Sequence, residues 1–184
     1  MTRKFFLALA LLAALGAPAA AQSRATVVIL VRHAEKAAQP ADDPPLTPAG
    51  QARAAALAEA LKSANVTAII TTPLTRTQET ARPLAQLRNV SPEVIPLGQG
   101  NTHTKAVADA VRKHQGETVL VVGHSNTLAA IIFALGGPPM PDICDSQYSN
   151  MYTLILDGPS TRMVRSTYGA ASPDPATTCP AVKP

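Results

Sequence analysis

The sequence predicts an α/β protein: a three-layer α/β/α sandwich around a mostly parallel central sheet, closed by a C-terminal antiparallel hairpin. Two observations carry that expectation. Short runs rich in β-branched residues alternate with alanine- and leucine-rich stretches of helical period from residue 26 to about residue 135, the pattern of strands joined by covering helices. Two further strand-like runs, 151–156 and 162–168, flank Asp157-Gly158-Pro159-Ser160, a strong turn signal that reads as a hairpin. No repeat or internal linker divides the chain, so one domain is expected.

The elements follow in order. Residues 26–32 (TVVILVR) read as a strand buried on both faces. A proline-rich loop spans 39–45, and Thr47-Pro48 then gives an N-cap followed by proline at the first helical position. That helix runs to about Ser63, with Ala54, Leu57, Ala58 and Leu61 on one face. Residues 67–72 (TAIITT) form a second strand, and a second helix starts at Pro73 or Leu74 and is ended or kinked by Pro83. A weaker strand at 92–97, a helix at 104–115, a buried strand at 118–123 (TVLVVG) and an apolar helix at 126–135 complete the alternation. Gly136-Gly137 stops the last helix. A loop runs to about Gln147, and from about residue 169 the tail, rich in proline and small residues, carries no regular structure.

The first 21 residues have the three parts of an export signal: basic Arg3 and Lys4, an apolar stretch over 5–15, and small residues before Gln22. The apolar stretch is shorter than the roughly 20 residues that span a bilayer, so cleavage, export to the periplasm or medium, and no stable membrane insertion are expected. The rest forms a single domain from residue 22 to 184, large enough for a substantial core. Losing Arg3 and Lys4 lowers the formal charge from +4 to near neutrality. With no basic run and few aromatics (Phe133, Tyr148, Tyr152, Tyr168), nucleic acid is not an expected partner. The pair Cys144 and Cys179 suits a disulfide in an oxidising compartment. No CxxC or HxxxH spacing calls for zinc, and no carboxylate cluster for another metal, so neither metal nor cofactor is expected.

The chemistry lies where the strands end. In open α/β sheets the site sits at the carboxyl ends of the strands. Arg32-His33 closes the first strand, Gly123-His124-Ser125 closes the TVLVV strand, and Arg76 follows the second strand at a helix start. Two arginines and two histidines on one sheet edge suit a compact, multiply charged anion, and phosphate fits best. The arginine fork matches phosphate oxygens, and helix N-termini near Thr72 and Ser125 add backbone donors. A neutral imidazole can attack phosphorus and form a phosphohistidine that water cleaves. GHS lacks the closing glycine of a GxSxG elbow, so a serine hydrolase is a weak alternative.

Arg32-His33-Ala34-Glu35-Lys36, residues 72–81 (TPLTRTQETA) and residues 122–127 (VGHSNT) resemble, in order and spacing, the three motifs of the histidine phosphatase superfamily, with its phosphoglycerate mutase-like fold. The resemblance spans most of the chain, from about Val27 to Tyr168. It implies His33 as the phosphorylated nucleophile, Arg32, Arg76 and His124 as groups that bind and stabilise the phosphoryl unit, and a small phosphorylated substrate. Ser125 would contribute backbone, and Glu35 serves either catalysis or a helix-side salt bridge. Two departures stand out. Ala34 replaces the motif's glycine, and the stretch after the third strand, 95–104 (IPLGQGNTHT), lacks the glutamate that protonates leaving groups in many members. Glu35, His103, Asp145 or water remain for that task. The gap argues against a mutase and leaves two readings: a phosphatase, or a catalytically weak protein that binds a phosphorylated ligand.

Overall fold

The computed structural model describes residues 24–174; the expected export signal and Cys179 lie outside them. The strands are β1 (Thr26–Arg32), β2 (Ala68–Thr71), β3 (Glu93–Val94), β4 (Thr118–Gly123), β5 (Asn150–Asp157) and β6 (Ser160–Thr167). The helices are α1 (Pro48–Leu61), α2 (Thr75–Arg88), α3 (Thr102–Arg112) and α4 (Leu128–Ala134). One sheet of order β3-β2-β4-β1-β5-β6 forms the middle layer. The pairs β1–β4, β4–β2 and β2–β3 are parallel, and β5 and β6 form the expected antiparallel hairpin against β1.

Alternation along the strands builds two cores. Val28, Leu30, Val119 and Val121 face α3 and α4, joined by Val107, Val111, Ile131 and Ile132. Ile29, Val31, Leu120 and Val122 face the other way, against Leu57 and Leu61 of α1 and Leu84 of α2. The period of two across a sheet covered on both sides explains why β1 and β4 read as continuous apolar runs. Buried Ala34 fits beside Leu46 and Ala54 in a small third cluster, so the methyl in place of the motif's glycine is packed.

Three expectations are corrected. Pro83 does not end α2, which continues to Arg88. An interior proline costs about 3 kcal/mol, but Leu84 and Ala85 beyond it are buried and hold the last turn in place. Asn89 then closes the helix in the left-handed conformation, with φ of 52°. β3 has two residues rather than six. α3 starts at Thr102, so His103 is a helical residue and is buried.

Thr47 caps α1 as expected, its Oγ1 accepting from the Gly50 amide at 3.1 Å. Its own amide donates to the Glu35 carbonyl at 2.9 Å, which ties α1 to the turn after β1. Gly50 permits that approach, since a Cβ there would lie 2.2 Å from the Glu35 oxygen. That neighbour is backbone and has little room to yield. Gly50→Ala is expected to destabilise the protein by about 1–3 kcal/mol, read by urea denaturation; a loss below about 0.5 kcal/mol would contradict this close contact.

Candidate active site

β1 and β4 pair in register Arg32↔Gly123, and the His33 amide continues the ladder to the Gly123 carbonyl at 2.9 Å. His33 and His124 therefore leave the sheet side by side. Their ring centroids are 5.4 Å apart at 61°, and both are buried. His33 Nδ1 lies 2.8 Å from the Ala34 carbonyl oxygen. A carbonyl only accepts, so Nδ1 carries the proton and Nε2 keeps the lone pair. The tautomer that can attack phosphorus is thus set by the backbone.

His124 is held at its other end. Its Nε2 lies 3.1 Å from Thr72 Oγ1, which is 3.0 Å from Thr77 Oγ1. Thr77 donates to the Leu74 carbonyl at 2.8 Å and accepts from the Thr72 amide at 3.2 Å. Thr80 links α2 to the nucleophile turn: its Oγ1 accepts from the Ala34 amide at 2.9 Å and donates to the Arg76 carbonyl at 2.7 Å. These threonines give the 72–81 motif its physical sense, for they lock the two histidine turns to the helix that carries Arg76.

Arg32 is buried and gripped by the loop before β5. Nη1 donates to the carbonyls of Asp145 at 2.7 Å and Cys144 at 3.1 Å, and Nη2 to Asp145 Oδ1 at 3.2 Å. Its Cζ lies 4.2 Å from the centroid of the Tyr148 ring, an arrangement favourable for cation–π attraction. Arg76 is steered from the proline-rich loop. Asp43 accepts from the Thr75 amide at 2.9 Å and Thr75 Oγ1 at 2.6 Å, capping α2, and lies 3.9 Å from Arg76 Nη1. The Nε atoms of Arg32 and Arg76 are both buried without a hydrogen-bond partner. Buried donors are normally paired, and an oxyanion would complete such cations.

The field lowers the basicity of both rings. Burial, with the nearby arginine charges, lowers the His33 pKa to about 4 despite the Ala34 bond. Burial, then His33 and Arg76, lower that of His124 to about 3. Burial also lowers Arg76, opposed by Asp43 and reinforced by Arg32. Both imidazoles are neutral at pH 7, as a nucleophile requires.

The other sequence candidates divide. Glu35 is bound by Arg53, whose Nε lies 2.9 and 3.0 Å from its two carboxylate oxygens and whose Nη2 lies 2.8 Å from Oε1. Arg53 Nη1 also donates to the Tyr168 carbonyl at 3.1 Å. The carboxylate thus braces the nucleophile turn against α1 and the end of the hairpin, the salt-bridge alternative of the two weighed from the sequence. Ser125 Oγ donates to Asp145 Oδ1 at 3.0 Å, so its hydroxyl fastens the Arg32 loop. Asp145 has a largely exposed side chain at the rim. His103 is buried, donates from Nδ1 to the Pro96 carbonyl at 3.0 Å, and has an unpartnered Nε2. It lines a cleft of about 790 Å³ together with Arg76 and His124. Cys144 is not a free thiol; the expected partner, Cys179, is outside the described residues.

Asp43, Thr72, Thr80, Arg53 and Tyr148 are working parts that sequence reading left without a role. Thr72 and Thr80 were in view inside a motif; Arg53 and Asp43 act across the fold and carry no local signal. A further unforeseen contact braces the Arg32 loop: Ser172 Oγ accepts from the Tyr148 and Ser149 amides at 2.8 and 2.9 Å. Gln147 also donates to the Pro173 carbonyl. Among the described residues no group of three or more histidine, cysteine or carboxylate side chains could hold a metal, and no helix is long and apolar enough to cross a membrane.

Comparison with known proteins agrees with this geometry. The model of the histidine phosphatase superfamily (branch 1) matches residues 28–97. No curated protein matches. Among solved structures, YhfR of Bacillus stearothermophilus is 21% identical with a TM-score of 0.59, covering 76% of this chain and 95% of its own. The protein histidine phosphatase SixA complexed with tungstate is 21% identical at a TM-score of 0.56, covering 77% and 96%. The mycobacterial glucosyl-3-phosphoglycerate phosphatase is 21% identical at a TM-score of 0.50, covering 80% and 100%. At these identities the structures establish the fold.

The two histidines make stability depend on pH. Each binds a proton more weakly folded than unfolded, so their contribution is complete above the unfolded value of 6.5 and is lost as pH falls toward about 4 and about 3. Between pH 6 and pH 5 each should cost about 1 kcal/mol. Urea midpoints at both pH values, compared with His33→Asn and His124→Asn, check this. Each variant should lose part of the slope, and an unchanged slope would refute the neutral-histidine pocket.

Proposed function

Residues 28–97 match the histidine phosphatase superfamily, and we propose that the chain is a member of it and a phosphatase working through a phosphohistidine on His33. The observation that carries the reading is the fixed tautomer of His33 beside two arginines whose Nε atoms are buried and unpartnered. His33 Nε2 attacks phosphorus, the P–N bond forms, and the bond to the leaving oxygen breaks. That oxygen takes a proton, and water then displaces His33 to release inorganic phosphate. Arg32, Arg76 and His124 hold the equatorial oxygens, where most phosphoryl-transfer catalysis arises. The bond between Thr72 Oγ1 and Nε2 of His124 fixes the orientation of that ring beside His33.

No metal takes part in this scheme. Export to the periplasm or medium is part of the proposal and rests on residues 1–21. Similar solved structures described as phosphatases add support for the reaction class. One observation favours a second reading, a phosphate-binding protein of low turnover: Glu35 and Asp145, the two carboxylates weighed as the acid, are both engaged by arginine.

A panel of phosphomonoesters and phosphoanhydrides separates the two readings. Turnover should fall on the order of a thousandfold or more in His33→Ala and about a hundredfold or more in Arg76→Ala, and should survive chelator. Turnover indifferent to His33→Ala would sink the mechanism. Saturable phosphate-ligand binding without turnover would support the second reading.

A further inference from the structure

The cleft of about 790 Å³ shares Arg76 and His124 with the phosphoryl pocket. A group attached to a phosphoryl unit held by those residues therefore has this cleft as its adjoining space. Its walls are of two kinds. Leu97 and Phe133 are among the few large apolar side chains left exposed, at 48% and 63%, and both line it. Neighbouring Leu128, Ala129, Ile131 and Ile132 of α4 are buried in the core, so Phe133 is the large residue that this helix turns toward the cleft instead. Asn101, Thr104 and Asn126 add uncharged polar groups to the lining.

Charge decides between substrate classes. Among the described residues Arg76 is the one lysine, arginine or carboxylate residue in the lining, and phosphoryl binding uses it. A second anionic group on the substrate would lose hydration there and meet no lysine or arginine beyond Arg76. An aromatic or similarly apolar group would instead cover Phe133 and Leu97, gaining area burial and ring contact. We propose that the cleft is a leaving-group subsite for an uncharged, apolar-faced alcohol or phenol, so that the preferred substrates are monoesters of that class rather than phosphorylated hydroxy acids. This rests on the phosphatase reading for the position of the phosphoryl group.

Two measurements test it. In the first, kcat/KM for 1-naphthyl phosphate, acetyl phosphate and 3-phosphoglycerate is compared in the wild type, Phe133→Ser and Ala130→Lys. The wild type should prefer the naphthyl ester over 3-phosphoglycerate. Phe133→Ser should lower the naphthyl-to-acetyl ratio about tenfold, and Ala130→Lys, at an exposed lining position, should raise the 3-phosphoglycerate-to-naphthyl ratio. An unchanged naphthyl-to-acetyl ratio in Phe133→Ser, or a wild-type preference for 3-phosphoglycerate, would overturn the proposal. In the second, calorimetry compares 1-naphthylmethylphosphonate with phosphonoacetate, neither of which requires turnover. Tighter binding of the naphthyl compound, weakened about tenfold in Phe133→Ser, supports the subsite even if catalysis is absent. Equal affinities, or tighter phosphonoacetate binding, would refute it. Failure of the phosphatase reading would appear separately, as turnover that ignores His33→Ala.

Discussion

Arg32 stands opposite Gly123 across the parallel β1–β4 ladder, and the pocket depends on that register. Both strands leave the sheet at the same height, so the residue after each is a histidine at the same edge. A slip of one residue would send every side chain of β1 to the opposite face. Two separate cores forbid it, because Val28 and Leu30 are fitted to one helical layer and Ile29 and Val31 to the other. Stability of the sandwich and alignment of the nucleophile are thus one constraint.

On that frame the pocket combines cationic donors with neutral rings. Burial keeps His33 and His124 uncharged, while the arginines keep their role as anchors for an anion. Each arginine is held from behind by oxygen: Arg32 by the carbonyls of Cys144 and Asp145, Arg76 by the nearby Asp43 carboxylate. These contacts orient the guanidinium groups and offset part of their mutual repulsion. An arriving phosphate would reverse the local field and favour protonation of His124, which would strengthen its hold on the phosphoryl oxygens.

Much of the fold was legible because its signals are local. TVVILVR and TVLVVG announce buried strands, Thr47-Pro48 announces α1, and Asp157-Gly158-Pro159-Ser160 announces the hairpin. Of the two outcomes expected of Pro83, an end or a kink, the end is ruled out, because propensity is local whereas the burial of Leu84 that overrides it is tertiary. The histidine and arginine positions were legible from strand ends and motif spacing. The supports were not: Arg53 reaches Glu35 and the Tyr168 carbonyl, and Ser172 receives the Tyr148 and Ser149 amides. Such bonds join residues far apart in the chain, and periodicity carries no information about them. For the same reason Phe133 read only as part of an apolar helix, while the fold turns it toward the cleft beside Arg76.

In the proposed reaction His33 Nε2 forms the bond to phosphorus. Rapid acid-free quenching during turnover of acetyl phosphate, followed by peptide mass spectrometry and phosphorus NMR, tests it most directly. Phosphate should be found on His33 through Nε2, appearing and decaying at rates compatible with turnover and absent in His33→Ala. Phosphate on His124, attachment through Nδ1 of His33, or turnover with no phosphorylated histidine at any time would contradict it.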